Sequence, residues 1–168
     1  MLSHAHSELS GAKYAVFVDS SRRYVDCSEG VAALLGYKRQ ELLQKSIDDI
    51  SCHSDEVNRL FNRYLVAGGL VGEYVLMARD RTPVLIHYKA FVFGDGCLAA
   101  IWEPIHDWRE LYMAALVEVQ PGKLREKAEI ALAAIRSRAL QAASQTAEER
   151  QAMQDAGSAL RRLLENSK

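Results

Sequence analysis

Apolar positions along the chain change period several times, and each change predicts an element. Tyr14-Ala-Val-Phe-Val-Asp19 is short and β-branched, closes on the turn-formers Asp19, Ser20 and Ser21, and is followed by Tyr24-Val-Asp-Cys27, so the two read as a hairpin. Ser28 is placed to cap a short helix carrying Val31, Ala32, Leu34 and Leu35, and Gly36 sits where a left-handed C-terminal residue is wanted. A second short helix fits Lys38 to Gln44, followed by a turn at Ile47-Asp-Asp-Ile50. Asp55 and Glu56 then open a longer helix in which Val57, Leu60, Phe61 and Tyr64 fall on one face and which Gly68 and Gly69 end.

From Gly72 the spacing changes to strands at Glu73 to Arg79, Pro83 to Phe93 and Cys97 to Ile105, joined by turns at Arg79-Asp-Arg-Thr-Pro83 and Gly94-Asp-Gly96. On the middle strand Val84, Ile86, Tyr88 and Ala90 share one face, and His87 and Lys89 share the other with Leu85 and Phe91. Two strands, several helices and three strands describe an α+β fold, an antiparallel sheet with helices on one face. The remainder is helical. Trp108, Leu111, Tyr112, Ala115 and Val119 stripe one helix, which Pro121-Gly122 interrupts. Leu124, Ala128, Ala131, Leu132, Ile135, Ala139 and Ala142 stripe a second, and Met153, Ala156, Leu160, Leu163 and Leu164 a third. Thr146-Ala-Glu-Glu149 has the form of a capping box, and the short Ser144-Gln145 connection makes the last two helices an antiparallel hairpin.

Val16-Phe-Val-Asp19, Tyr24-Val-Asp-Cys-Ser28 and Val31-Ala-Ala-Leu-Leu-Gly-Tyr-Lys-Arg-Gln-Glu-Leu-Leu43 together resemble the opening of a PAS domain, a strand pair followed by an apolar helix ending in Leu-Gly-Tyr and then Glu-Leu. Gly72-Glu-Tyr-Val-Leu76, Pro83-Val-Leu-Ile86 and Asp107-Trp-Arg-Glu110 resemble that family's third and fourth strands and its exit junction. The resemblance implies a five-stranded PAS-like sheet within residues 12–106, after a flexible N-terminus at 1–11 and before an exit helix at 107–120 and a helical hairpin at 121–168. Two positions depart from the family pattern. Cys27 stands where Asn is common, and Arg81-Thr82 replaces the usual Gly of the turn between the third and fourth strands.

Composition narrows the chemistry. The 168 residues are 49% hydrophobic and 26% charged with a formal net charge of −1, a globular balance with no basic excess to suggest nucleic acid. The slightly acidic stretch to Glu118 and the slightly basic one after it fit solvated surfaces. Three spaced cysteines, Cys27, Cys52 and Cys97, suggest neither a disulfide framework nor a zinc site. The N-terminus lacks the apolar run of a signal peptide, and no stretch approaches the roughly 20 apolar residues of a membrane helix. A soluble, cytoplasmic protein is expected.

Of five histidines, His4 and His6 lie in the polar N-terminus, His87 on the polar side of a strand and His106 before the exit junction. Only Cys52-His53, beside Asp55, groups ligand types, and no metal site is expected from adjacent residues alone. By resemblance, flavin-binding relatives would carry a reactive Cys about where Ile47 stands, and haem-binding relatives a His seven residues before Tyr64, at Val57. No cofactor is expected, and the purified protein should be colourless. Nucleotide-binding loops and hydrolase motifs do not occur, Ser3, Ser7 and Ser10 are scattered in a polar tail, and no histidine follows His106 to serve as a phosphoacceptor. An enzyme is therefore not expected.

What remains is a sensor or adaptor in signal transduction, or else a ligand-free interaction module. Its cavity is expected between Tyr74, Leu76, Val84, Ile86, Tyr88 and Ile101 on the sheet and Leu34, Leu35, Ile47, Ile50, Leu60 and Tyr64 on the helices, with Tyr64, Tyr74 and Tyr88 as polar tips for a small, mostly apolar ligand. Leu132, Ile135, Leu160 and Leu164 are expected to need a second hairpin, giving a homodimer able to engage a downstream signalling protein.

Overall fold

The computed structural model describes residues 11–52, 54–92, 96–140 and 145–166, together with the backbone but not the side chains of 54–56. The expected flexible N-terminus through Ser10, His53, the turn at Gly94-Asp95 and the connection at Ser144 lie outside the described residues. The chain folds as two units, Met1–Pro104 and Ile105–Lys168.

The first unit runs β1 (Ala15–Val18), β2 (Tyr24–Cys27), α1 (Glu29–Leu35), α2 (Arg39–Leu42), a 3₁₀ turn at Asp48–Ile50, α3 (Ser54–Ala67), β3 (Gly69–Met77), β4 (Pro83–Val92) and β5 (Leu98–Pro104). The strands form one antiparallel sheet in the order β2-β1-β5-β4-β3. The hairpin β1–β2 and the meander β3–β4–β5 are joined by β1 against β5, with Val16 opposite Ala100 and Val18 opposite Leu98. That long-range pairing makes β1 central, and all four of its residues are buried. Val31, Leu35, Leu42, Ile50, Phe61 and Tyr64 pack on one face of the sheet with Val16, Val18, Ile86, Tyr88 and Trp102. The opposite face carries a small cluster of Ala15, Phe17 and Ala99, with Ile101 beside it.

Local chemistry departs from expectation at three places. Ser28 precedes α1 but does not cap it. Its Oγ accepts from the Ala15 amide at 3.0 Å and donates to the Lys13 carbonyl at 2.7 Å, fastening the start of β1. β3 begins at Gly69, because the antiparallel register with β4 continues through Gly69 opposite Phe91. At the β3–β4 turn Arg81 adopts φ 69°, so the turn keeps the left-handed conformation without its usual glycine. Gly36 takes the expected left-handed place at the end of α1, with φ 70°.

The second unit contains α4 (Trp108–Leu116), α5 (Pro121–Ala139) and α6 (Ala147–Asn166). Asp107 caps α4 by accepting from the Arg109 amide at 2.7 Å, and Pro121 occupies the first turn of α5, where its missing N–H costs nothing. Glu118 fixes the link between them, accepting from the amides of Val119 and Gln120 at 3.0 Å each and pairing with Lys127 at 3.1 Å. Thr146 accepts from the Glu149 amide at 3.1 Å, one half of the expected capping box. The other half is diverted: the Glu149 carboxylate takes two hydrogen bonds of 2.9 Å from Arg138 of α5, a bidentate pair tying α6 to α5.

Leu132, Ile135 and Leu160 do not await a second subunit. All three are buried within the single chain, Leu160 completely, and Leu164 is half-buried. Helical spacing identified them as inward positions but carried no information about which surface would cover them. Among the described residues, the exposed large apolar side chains of this unit are instead Met113, Leu116, Val117, Val119 and Leu140.

Candidate functional site

Between the sheet and the helices of the first unit lies a cavity of about 70 Å³. Its floor is built by the alternation of the central strands: Val16 and Val18 from β1, Ile86, Tyr88 and Ala90 from β4, and Leu98, Ala100 and Trp102 from β5. Tyr24 of β2 and Tyr74 and Leu76 of β3 close its sides, and Val57, Leu60, Phe61 and Tyr64 of α3 form the helical wall at three- and four-residue spacing. Ile47 is brought over the cavity because the chain around it docks on β2, with the Ile47 amide donating to the Arg22 carbonyl at 2.9 Å and the Tyr24 amide to the Lys45 carbonyl at 3.1 Å.

Seven of the residues expected there line the cavity: Ile47, Leu60, Tyr64, Tyr74, Leu76, Ile86 and Tyr88. Leu35 and Ile50 are fully buried in the surrounding core without reaching the lining, Val84 is partly buried against that core, and Leu34 is only half-buried. Ile101 is on the wrong face. It stands opposite Lys89, whereas Tyr88 stands opposite Trp102, so Trp102 and Ala100 supply the wall assigned to Ile101. The run from Leu98 to Trp102 is apolar at every position, which hides its parity from the sequence. Val16, Val18, Leu98 and Ala100 were hidden for a related reason, since their contribution depends on β1 pairing with β5.

Two of the expected polar tips meet. Tyr64 and Tyr88 meet edge to face with centroids 6.1 Å apart at 67°. Burial first, and then the Tyr88 hydroxyl, push the Tyr64 phenol far above its ordinary pKa. Gly72, opposite Tyr88 on β3, makes room for this pair: a Cβ at that position would lie 2.8 Å from the Tyr88 hydroxyl. The sequence reading missed a further tip, Tyr24, which is 2% exposed and whose phenol burial likewise holds protonated. A Tyr at the first position of a strand whose third residue, on the same face, is the charged Asp26 would not by itself have revealed this.

Val57 and Ile47, the positions at which the resemblance would put a haem-ligating His and a flavin-reactive Cys, both line the cavity and present aliphatic side chains there. Cys27 belongs to the adjoining core. Burial raises its thiol pKa, while Arg39, which donates to the Cys27 carbonyl at 3.0 Å and pairs with Asp26, pulls the other way. Among the described residues no cluster of three or more His, Cys, Asp or Glu side chains could hold a metal ion. The carboxylate of Glu73 lies across from His87 at 3.7 Å on the outer face of the sheet, away from the cavity.

Several solved structures share this architecture. A domain of a sensory box sensor histidine kinase/response regulator from Geobacter sulfurreducens is 22% identical with a TM-score of 0.52, covering 61% of this chain and 93% of that one. The PAS domain of a LuxR-family transcriptional regulator from Burkholderia thailandensis, solved in complex with ethanol, is 16% identical with a TM-score of 0.51, covering 62% and 97%. The PAS domain of the fruit-fly ELK potassium channel is 15% identical with a TM-score of 0.52, covering 62% and 97%. No curated protein matches the chain. The family model described as PAS domain matches residues 13–103, the segment that carries the five strands and the walls of the cavity. Sheet order, cavity and family match coincide on the same stretch, and the chain belongs to the PAS domain family.

Proposed function

We propose that this chain is a sensory PAS module in signal transduction, without catalytic chemistry of its own, whose cavity takes a small and mostly apolar ligand. The observation that carries the reading is the cavity itself, an apolar enclosure with a few tyrosine hydroxyls, the usual composition of a small-molecule site. The Burkholderia domain was solved with ethanol, a molecule of the size this cavity would admit. Ligand state would pass along the chain from β5 into α4 and the helices that follow, and on to a downstream signalling protein. No helix among the described residues is long and apolar enough to cross a membrane, and the three cysteines are free. We place the protein in the cytoplasm, away from nucleic acid, as part of the same proposal.

A homodimer belongs to this reading, through a different surface from the one the sequence pointed to. Met113 and Leu116 on the last turn of α4 and Val117 just after it are exposed at three- and four-residue spacing, and a two-fold axis would bury them against their own copies. Sedimentation at tens of micromolar should show a dimer that Val117→Glu converts to a monomer with unchanged helicity. A monomeric wild type ends the dimer reading.

The small volume of the cavity favours one competing reading, in which its own side chains fill it and the PAS unit serves as an interaction module. Native mass and absorption of the purified protein, followed by thermal shift across a panel of small neutral metabolites, separate the two. A ligand-dependent rise in melting temperature supports the sensor, and no response anywhere in the panel leaves the interaction module.

A further inference from the structure

Among the described groups the Tyr24 hydroxyl is buried with no hydrogen-bond partner, and Tyr24 lines the cavity. A hydroxyl removed from water without a partner destabilises the fold unless something else engages it. The neighbouring polar groups do not need such a partner in the same way, since Tyr64 interacts with Tyr88 and Tyr74 has an interaction of its own. Among the described residues the lining contains no Asp, Glu, Lys, Arg or His, so an ionised guest would lose its hydration with no opposite charge from them to replace it. Size sets the remaining limit. An apolar protein cavity of roughly 150 Å³ accommodates benzene, so about 70 Å³ corresponds to roughly three or four heavy atoms.

We propose that Tyr24 is the anchoring residue of this cavity and that its ligand class is a neutral molecule of three or four heavy atoms bearing one hydrogen-bonding oxygen or nitrogen, such as a short alcohol or ketone. The inference rests on the cavity being a ligand site and names what that site selects. Its protonated phenol can donate to a carbonyl or alcohol oxygen and accept from a hydroxyl, while Val18, Ile86 and Ala100 enclose the hydrocarbon part.

Three probes of four heavy atoms each test it on the full chain by methyl NMR: 2-propanol, its hydrocarbon isostere isobutane, and acetate. The expected result is saturable shifts at Val18, Ile47 and Ile86 with 2-propanol. A ligand of four heavy atoms at its efficiency ceiling binds no tighter than roughly tens of micromolar. Acetate should not bind, and isobutane serves as the reference that can make no hydrogen bond. Tyr24→Phe should weaken 2-propanol roughly fivefold, about the worth of one hydrogen bond, leave isobutane unchanged, and melt no lower than wild type, since the hydroxyl removed had no partner. Tyr64→Phe should leave the 2-propanol affinity within about twofold. Equal 2-propanol affinity in Tyr24→Phe, or an equal loss of isobutane and 2-propanol affinity in that variant, overturns the anchor while leaving the cavity a ligand site. A Tyr24→Phe protein that melts well below wild type also overturns it, by showing that the hydroxyl has a structural partner. If neither neutral probe saturates, the ligand-site reading and the anchor fall together.

Discussion

Around Trp102 the sheet unit buries rings and branched chains, Tyr24, Tyr64, Tyr88, Phe61, Val16 and Ile86, whereas the helical unit buries alanines, Ala114, Ala115, Ala128, Ala131 and Ala156, between its leucines. Bulky groups projecting from a twisted sheet and from one helix cannot interdigitate completely, and the remainder is the cavity. Alanine seams let helix backbones approach closely but contribute little buried area apiece, so charged pairs add specificity there: Arg138 with Glu149 and Lys127 with Glu118. One unit thus keeps internal space, and the other has its helices pinned to one another.

The sharpest way to break the first unit is at Gly30, in the first turn of α1. In an ordinary helix Gly→Ala stabilises by about 1 kcal/mol. Here a Cβ would sit 2.1 Å from the Lys13 carbonyl oxygen, so Gly30→Ala should instead cost about 3 kcal/mol in urea denaturation by pushing the chain before β1 off Ser28. Stabilisation by this substitution would show that the contact yields easily.

Adding the same two methyl groups to one alanine in each unit tests the packing contrast directly. Ala100→Val extends into the cavity and should stabilise by about 1 kcal/mol, at the expense of ligand binding. Ala131→Val, at a fully buried seam position of α5, should destabilise by about 2 kcal/mol. Equal signs in chemical denaturation would remove the distinction between the units.

A smaller effect is expected at the β3–β4 turn. Arg81→Gly relieves a left-handed side-chain residue while loosening the unfolded chain, for a net gain of at most about 1 kcal/mol. A loss would mean that the Arg81 side chain contributes to the fold.

The last expected difference is in acid. Hydrogen bonding to Arg138 is the main cause holding the Glu149 carboxyl below its ordinary pKa of 4.5. A depressed folded-state pKa gives stability that is present above the unfolded value and lost as pH falls through the folded one. Melting of the helical signal should therefore drop as pH falls below about 4.5, and Arg138→Met should flatten that part of the profile. Identical acid profiles in the two proteins would remove the pair from the account.

Much of this protein was determined by local sequence. Alternation on Pro83 to Val92 put Ile86, Tyr88 and Ala90 on one face, the spacing of Val57, Leu60, Phe61 and Tyr64 built the helical wall, Pro121 marked the break between two helices and Thr146 the start of the last, because each of these depends on neighbours within a few residues. Tertiary structure alone decided the rest. Trp102 rather than Ile101 faces the cavity because β5 is sandwiched between β1 and β4, and a strand apolar on both faces carries no parity in its sequence. Ser28 left its helix for β1, and Glu149 left its capping box for Arg138, since a side chain satisfies whichever partner the folded chain brings nearest. Leu132, Ile135 and Leu160 were legible as inward, but burial is a property of the surface that arrives to cover them, and periodicity does not name that surface. For the same reason the buried, unpartnered hydroxyl of Tyr24 could be found only once the strands were in place.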